Sequence, residues 1–440
     1  MSEVSRRFDR VEVTFDDPTL VANAGLIVPA TLMLRLALED LINATIRLGN
    51  KAGAAPGRKV MTLVASILAG GSHIDHANVL RAGATGKVLP FKVMAPSTLG
   101  TFLRSFTFGH VRQLDRVIAE AIRRAWSLGA GPGSAPMTID LDSTICAVYG
   151  KAKQGSAYGY TKTLAYHPLI ATRAETGEVL HARLRKGSSQ RGPVRFVQEL
   201  VARVRRAGAS GPLVVRADAG FISFALIDAL DRLKVSWSLT VRSSARIRAC
   251  VEGIPQSAWQ GIVYPDGGHA EVAEAIYVTS HKGGYRPVRL VVRRTRLVDP
   301  RQLALWPDWR HHVFITNLDL PTVEVDRFHR DHARVELAIR DLKEGAGLEH
   351  CPSGRFFANA AWLGCAVLAH NLIRWTAGLG ELHGPDQLSV ARTIRTRVLA
   401  LPGRLVNRSG RLVLRLPDRW PWAQSFNAAL GHMRALPLLA

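Results

Sequence analysis

Two short apolar runs that each stop on an aspartate constrain this chain more than any other feature. Met137-Thr-Ile-Asp-Leu leads to Asp142, and Pro212-Leu-Val-Val-Arg-Ala leads to Asp218. Each is brief and rich in aliphatic residues, which reads as a buried strand. Between them, strand-like runs at 167–173 and 179–184 precede a helical pattern at 191–207, and a further helical pattern at 224–233 follows. Strands and helices in this order, with a carboxylate at two strand ends, predict an α/β layer arrangement.

The rest of the chain sorts around that centre. Residues 21–123 read as helical, with breaks at 49–57, 70–71 and 82–90. The segment 95–106 has the form of a capped helix: Pro96 with Ser97 or Thr98 starts it, and Leu99, Phe102, Leu103 and Phe106 form one apolar face. Gly129-Ala-Gly-Pro-Gly-Ser-Ala-Pro136 is a linker signal. Residues 235–317 alternate as strands, and a structureless connection of that length is improbable, so the stretch reads as an inserted β-rich subdomain. Helical patterns resume at 325–348 and 358–379. The expected organisation is a helical N-terminal region at 1–129, the first part of an α/β core at 137–234, the insertion at 235–320, the last part of the core at 321–380, and a basic, helical C-terminal region at 381–440.

Charge restricts the partner. Lys and Arg number 58 against 35 Asp and Glu, a formal net charge of +23. Such an excess favours a polyanion, and nucleic acid suits it better than a membrane because no basic amphipathic anchor is visible. Arginine carries most of the excess and suits bidentate phosphate contacts. From Arg374 onward there are ten arginines, no lysine and three acids, which makes the tail a further candidate phosphate contact. In this setting the polar start of the 95–106 helix suits contact with DNA, with Arg104 as a candidate, and the helical region 1–129 reads as a DNA-binding region. The four cysteines, Cys146, Cys250, Cys351 and Cys365, form no C-x-x-C pair and read as buried thiols. Met1-Ser-Glu-Val-Ser-Arg-Arg has no apolar run behind it, and the most apolar stretch, 360–373, is interrupted by His370 and Asn371. A soluble, cytoplasmic protein is expected.

A third acid completes a constellation. Glu336 lies in the helical run Ala333-Arg-Val-Glu-Leu-Ala-Ile-Arg-Asp-Leu-Lys-Glu344, where His329, His332, Glu336 and Lys343 recur on one face. Two carboxylates at strand ends and one on a distant helix can converge on a pair of divalent cations. Hard cations take oxygen ligands, and carboxylates that share them can hold a phosphodiester for in-line attack. Asp140 is an alternative to Asp142, since period two puts both on one strand face. The His311-His312 and His350-Cys351 pairs lack ligand spacing, and no phosphate-binding Gly-rich pattern followed by Lys-Ser/Thr occurs.

These residues resemble a known family. Ile139-Asp-Leu-Asp-Ser-Thr144 with Tyr149-Gly, Gly159-Tyr160 and Tyr166-His-Pro-Leu169 is similar to the first catalytic block of bacterial insertion-sequence DDE transposases. Thr176-Gly177, Leu184-Arg-Lys-Gly187 and Val215-Arg-Ala-Asp-Ala-Gly-Phe221 resemble the second. The Glu336 segment resembles the Tyr-x2-Arg-x3-Glu-x6-Lys signature of the branch with a β insertion, and insertion-sequence family thirteen-eighty is the nearest group. His329 stands at the Tyr position, His332 at the Arg position, and Lys343 matches. The resemblance implies an RNase H-like core, with Asp142, Asp218 and Glu336 catalytic and holding two Mg2+ or Mn2+ ions. It implies strand cleavage at element ends and transfer to target DNA by a dimer on double-stranded DNA, in the bacterial nucleoid. Asp142, which directly precedes Ser143-Thr144, fits the family's aspartate better than Asp140. Lys343, His329, His332 and Arg340 become DNA contacts, and Trp237, Trp259, Trp306 or Trp309 a partner for a flipped base. A catalytically weakened relative acting as a repressor is the alternative.

Overall fold

The computed structural model describes residues 8, 10–49, 51–159, 161–189, 192–264, 268–281, 284–296, 309–384 and 388–439; Tyr160 and Trp306 lie outside them. Helices come first: α1 (Ile27–Arg35), α2 (Leu38–Thr45), α3 (Pro56–Leu68), α4 (Pro96–Arg104) and α5 (Phe108–Ala125). Helix α4 starts on Pro96, where a missing N–H costs nothing, and it buries Leu99, Phe102 and Leu103 as its spacing predicts.

A mixed α/β region follows. Its elements are β1 (Met137–Ser143), β2 (Leu169–Arg173), β3 (Val179–Arg183), α6 (Pro193–Ala207), β4 (Leu213–Ala217), α7 (Phe224–Arg232) and β5 (Ser236–Thr240). Next come α8 (Ala245–Glu252), β6 (Gln260–Ile262), β7 (His269–His281), β8 (Gly284–Arg296) and β9 (Arg310–Thr316). All nine strands belong to one sheet, in the order β6-β7-β8-β9-β5-β4-β1-β2-β3. Strands β1, β4 and β5 run parallel, and every other neighbouring pair is antiparallel. The β-rich stretch therefore extends the central sheet through the β9–β5 pairing instead of forming a sheet of its own, and it carries one helix, α8, that alternation did not show.

The chain closes with α9 (Thr322–Arg330), α10 (Arg334–Arg340), α11 (Phe356–Leu379), β10 (Gly403–Arg408), β11 (Arg411–Arg415) and α12 (Ala423–Ala435). The C-terminal region, expected to be helical, holds a hairpin as well as helices: β10 pairs with β11, and also with Leu20–Val21 from the other end of the chain.

Helix α11 sits at the centre. By length and composition it could cross a membrane, yet 83% of its most apolar window is buried inside the protein. It touches α1, α3, α4, α5 and β3. The two polar residues that interrupt its apolar run dock it on the sheet. Asn371 accepts from Val179 N (2.7 Å) and donates to Val179 O (2.8 Å), and His370 Nε2 lies 2.8 Å from Gly177 O. An edge strand leaves backbone groups unpaired; here a side-chain amide stands in for the missing neighbour. Gly177, at φ +69°, makes the β2–β3 turn in a region that side chains disfavour. The adjoining Glu178 is buried and accepts from Trp126 Nε1 (2.6 Å) and Trp375 Nε1 (3.3 Å), which ties α11 to the end of α5.

Candidate active site

The parallel register of β1 and β4 aligns Leu141 with Ala217, so Asp142 and Asp218 follow side by side at the same strand ends. Helix α10 brings Glu336 to them. All three line one open cleft of about 1110 Å³, together with His332, Arg327, Arg330, Arg293, His312 and Tyr264. Asp142 Oδ1 accepts from Ser143 N at 2.6 Å, and Asp218 Oδ1 accepts from Gly220 N. A Cβ on Gly220 would come within 3.0 Å of that carboxylate oxygen, so the glycine keeps Asp218 accessible. Burial pushes the Asp142 carboxyl up to about 6, and the neighbouring Asp218 and Glu336 add to the rise against Ser143 N–H and His332. Asp142, held at a cost to its own charged form beside two further carboxylates, belongs to a donor set suited to a hard divalent cation.

Asp140, the alternative to Asp142, sits in a different setting. It is fully buried, and Arg216, its neighbour on β4, grips both oxygens: Nε to Oδ1 at 2.7 Å and Nη2 to Oδ2 at 2.9 Å. Arg216 also donates to Phe328 O and lies over the Phe328 ring, 4.7 Å from its centroid. Asp140 thus neutralises a buried guanidinium. His332 Nδ1 lies 2.9 Å from Asp140 Oδ1. A carboxylate accepts only, so Nδ1 carries the proton. His332 precedes Glu336 by one helical turn and borders the same cleft.

His329, expected as a DNA contact, is almost fully buried at the edge of the same cleft. Its ring is 3% exposed, with Nδ1 2.7 Å from Ser238 Oγ and Nε2 3.0 Å from Thr240 Oγ1. It stacks flat on Phe314 at 3.9 Å. Both nitrogens bond hydroxyls of β5. Burial, with His312, His332 and nearby guanidiniums, holds its basicity well below the usual imidazole range. Burial first, then Arg293 and His332, hold His312 at about 4, so neither ring adds charge to the cleft near neutrality.

Lys343 and Arg340 line a smaller recess with Asp142, Thr144 and Glu336, and Lys343 Nζ donates to Ile145 O at 3.2 Å. Lys343 lies in a π turn that follows α10, a widened turn that re-aims side chains. Arg104 is exposed at the end of α4, where its carbonyl accepts from Arg355 Nη1 at 3.0 Å.

Among the described residues, the three candidate tryptophans each have an intramolecular partner. Trp237 is buried in β5 with Nε1 on Asp231, and Trp259 and Trp309 sandwich the Arg294 guanidinium at 4.1 and 4.6 Å. The aromatic side chain that lines the cleft is Tyr264, whose centroid lies 5.9 Å from both Arg293 and Arg330. Arg289, Arg293 and Arg294 pair with Glu274, Asp326 and Glu271.

A tighter acidic cluster was not legible in sequence. Asp115, His181 and Glu199 hold ligand atoms within 4.8 Å of one another. Arg112 and Arg203 pair with Asp115, and Arg112, Arg183 and Arg195 with Glu199. Four guanidiniums against two carboxylates disfavour a cation there. Asp115 is held well below the usual carboxylate range although its burial pushes the other way, because His181 and Arg203 outweigh that burial. The cluster joins α5, β3 and α6 as a structural tie.

The family model described as transposase DDE domain group 1 matches residues 4–438. No curated protein matches the chain. Among solved structures it is similar to the piggyBac transposase in a cryo-EM synaptic complex with hairpin DNA. The identity is 12% and the TM-score 0.43, over 97% of this chain and 83% of that one.

Proposed function

This chain belongs to the DDE transposases of domain group 1, and from that premise we propose that it cuts DNA at the ends of a bacterial insertion sequence and joins the 3′ ends to target DNA. Within that reading the central sheet is an RNase H-like core, β6 to β9 are the insertion, and family thirteen-eighty is the nearest group. The observation that carries the proposal is the convergence of Asp142, Asp218 and Glu336 on one cleft, with Asp142 raised to about 6 by burial and by the other two. Asp142, Asp218 and Glu336 would hold two Mg2+ or Mn2+ ions. Bound there, the cations would polarise the attacking water or 3′ hydroxyl and neutralise the leaving oxygen.

The chain's own residues do the remaining work. The Asp140–Arg216 pair fixes the middle of β1 against β4, so that Asp142 and Asp218 stay level. Asp140 fixes the His332 ring and its tautomer, as outer carboxylates do for imidazoles beside metal sites. Lys343 and Arg340 offer cationic donors to a phosphate beside Glu336. His312 and His329, uncharged near neutrality, add no further positive charge beside the carboxylates.

The test is cleavage of labelled duplex carrying the native flanking repeat, with Mg2+ or with EDTA, for wild type and Glu336→Gln. Metal-dependent cuts at the repeat boundary, lost in the variant, are expected. Specific binding without cuts would favour the repressor reading.

A further inference from the structure

The C-terminal hairpin carries a charge arrangement that the cleft does not use. In β10 and β11, Arg404 faces Arg415, Val406 faces Val413, and Arg408 faces Arg411. Alternation puts these six side chains on one face and Leu405, Asn407, Leu412 and Leu414 on the other. Leu405 and Leu414 pack against the core, so the arginine face looks outward, and all four arginines are exposed.

Side chains directly opposite in an antiparallel pair approach to about 5 Å between Cβ atoms, and like charges there repel. This hairpin makes that unfavourable choice twice. Asp17 answers Arg404 at 3.0 Å, while among the described residues no ion pair holds Arg408, Arg411 or Arg415. The two like-charged pairs are four residues apart, about 13 Å along the strand, or roughly the rise of four base pairs at 3.4 Å each. A small anion could satisfy one pair; a repeating polyanion satisfies both at once. The face offers valines between the arginines and no amide or hydroxyl to read a base edge.

We propose that the outward face of β10 and β11 is a second DNA site, separate from the catalytic cleft, which grips the phosphate backbone of a duplex without reading its sequence. The function proposed above supplies only the identity of the polyanion.

The experiment uses the full chain in EDTA and a random-sequence duplex, with affinity measured by fluorescence anisotropy over a salt series. Arg408→Gln/Arg411→Gln should reduce the slope of log K against log salt by about 2, at roughly 0.9 per lost phosphate contact, with a melting temperature no lower than that of the wild type. Arg58→Gln/Arg123→Gln, which removes two exposed arginines already paired with Glu39 and Glu120, is the control for net charge. An unchanged slope in the hairpin variant, or an equal fall in the control, overturns the proposal while the cleft reading stands. A variant that loses binding to anionic vesicles but keeps duplex affinity overturns it in favour of a lipid surface. A wild-type chain that binds no duplex at any salt overturns both readings.

Discussion

Asp142→Asn should make the metal-free protein more stable while it abolishes cleavage. The carboxyl is pushed up to about 6 from an ordinary 3.8, with burial as the largest cause and Asp218 and Glu336 reinforcing it. Its charged form therefore opposes folding. At about 1.36 kcal/mol per pH unit the difference corresponds to about 3 kcal/mol. Water at the cleft mouth and the imperfect replacement of the Ser143 bond reduce the expected gain to about 1–3 kcal/mol. The folded state binds the proton more tightly than the unfolded chain, so the wild-type penalty is fully present above pH 6 and fades as pH falls toward 3.8. Thermal unfolding at about pH 8 should show the variant above wild type, and at about pH 4 the two should converge. Mg2+ should reverse the order at high pH. Ligand at a hundred times its dissociation constant stabilises the wild type by about 2.7 kcal/mol, and the variant has lost an anionic ligand. A variant less stable than wild type at pH 8 without metal, or a gap unchanged at pH 4, refutes the reasoning.

Other outcomes follow from the same geometry. Asp140→Ala should cost about 3–5 kcal/mol by leaving Arg216 buried and unpaired, and Asp140→Ala/Arg216→Leu should recover most of it in thermal unfolding. His332→Ala should lower end cleavage about tenfold, since the residue fixed by Asp140 is lost, while stability falls by no more than about 1–3 kcal/mol; unchanged cleavage rates would remove His332 from the site. Lys343→Ala should weaken binding to the cleft's DNA and reduce the salt slope by about 0.9, measured on an uncleaved end duplex in EDTA. Asn371→Leu should destabilise the fold by about 2–4 kcal/mol, because the Val179 N–H and C=O both lose their partner.

What the sequence shows depends on how local the deciding contact is. Strands β1 and β4 declare themselves by apolar runs that end on Asp142 and Asp218, and the helix bearing Glu336 by its period. Between Asp140 and Asp142 alternation cannot choose, because both point to one face; the difference is Arg216, one strand over, which pairs with Asp140. His329 looks like a surface donor on α9, yet β5 and the Phe314 ring of β9 claim it. Trp259 and Trp309 are likewise claimed by Arg294, while Tyr264 has no local signal at all. The C-terminal hairpin escaped notice because it is short, charged on one face, and completed by Leu20–Val21 from the far end of the chain.

That last pairing also bears on how the protein comes to be. Helix α1 packs on α12, and Leu439 N donates to Arg35 O at 2.9 Å. The ribosome delivers Arg35 about 400 residues before Leu439, which at 5–20 residues per second is a delay of roughly 20–80 s. Throughout that time the apolar side of α1 lacks its final cover. A chain truncated before α12 would therefore expose the apolar side of α1, near its beginning, as well as lose the helix itself.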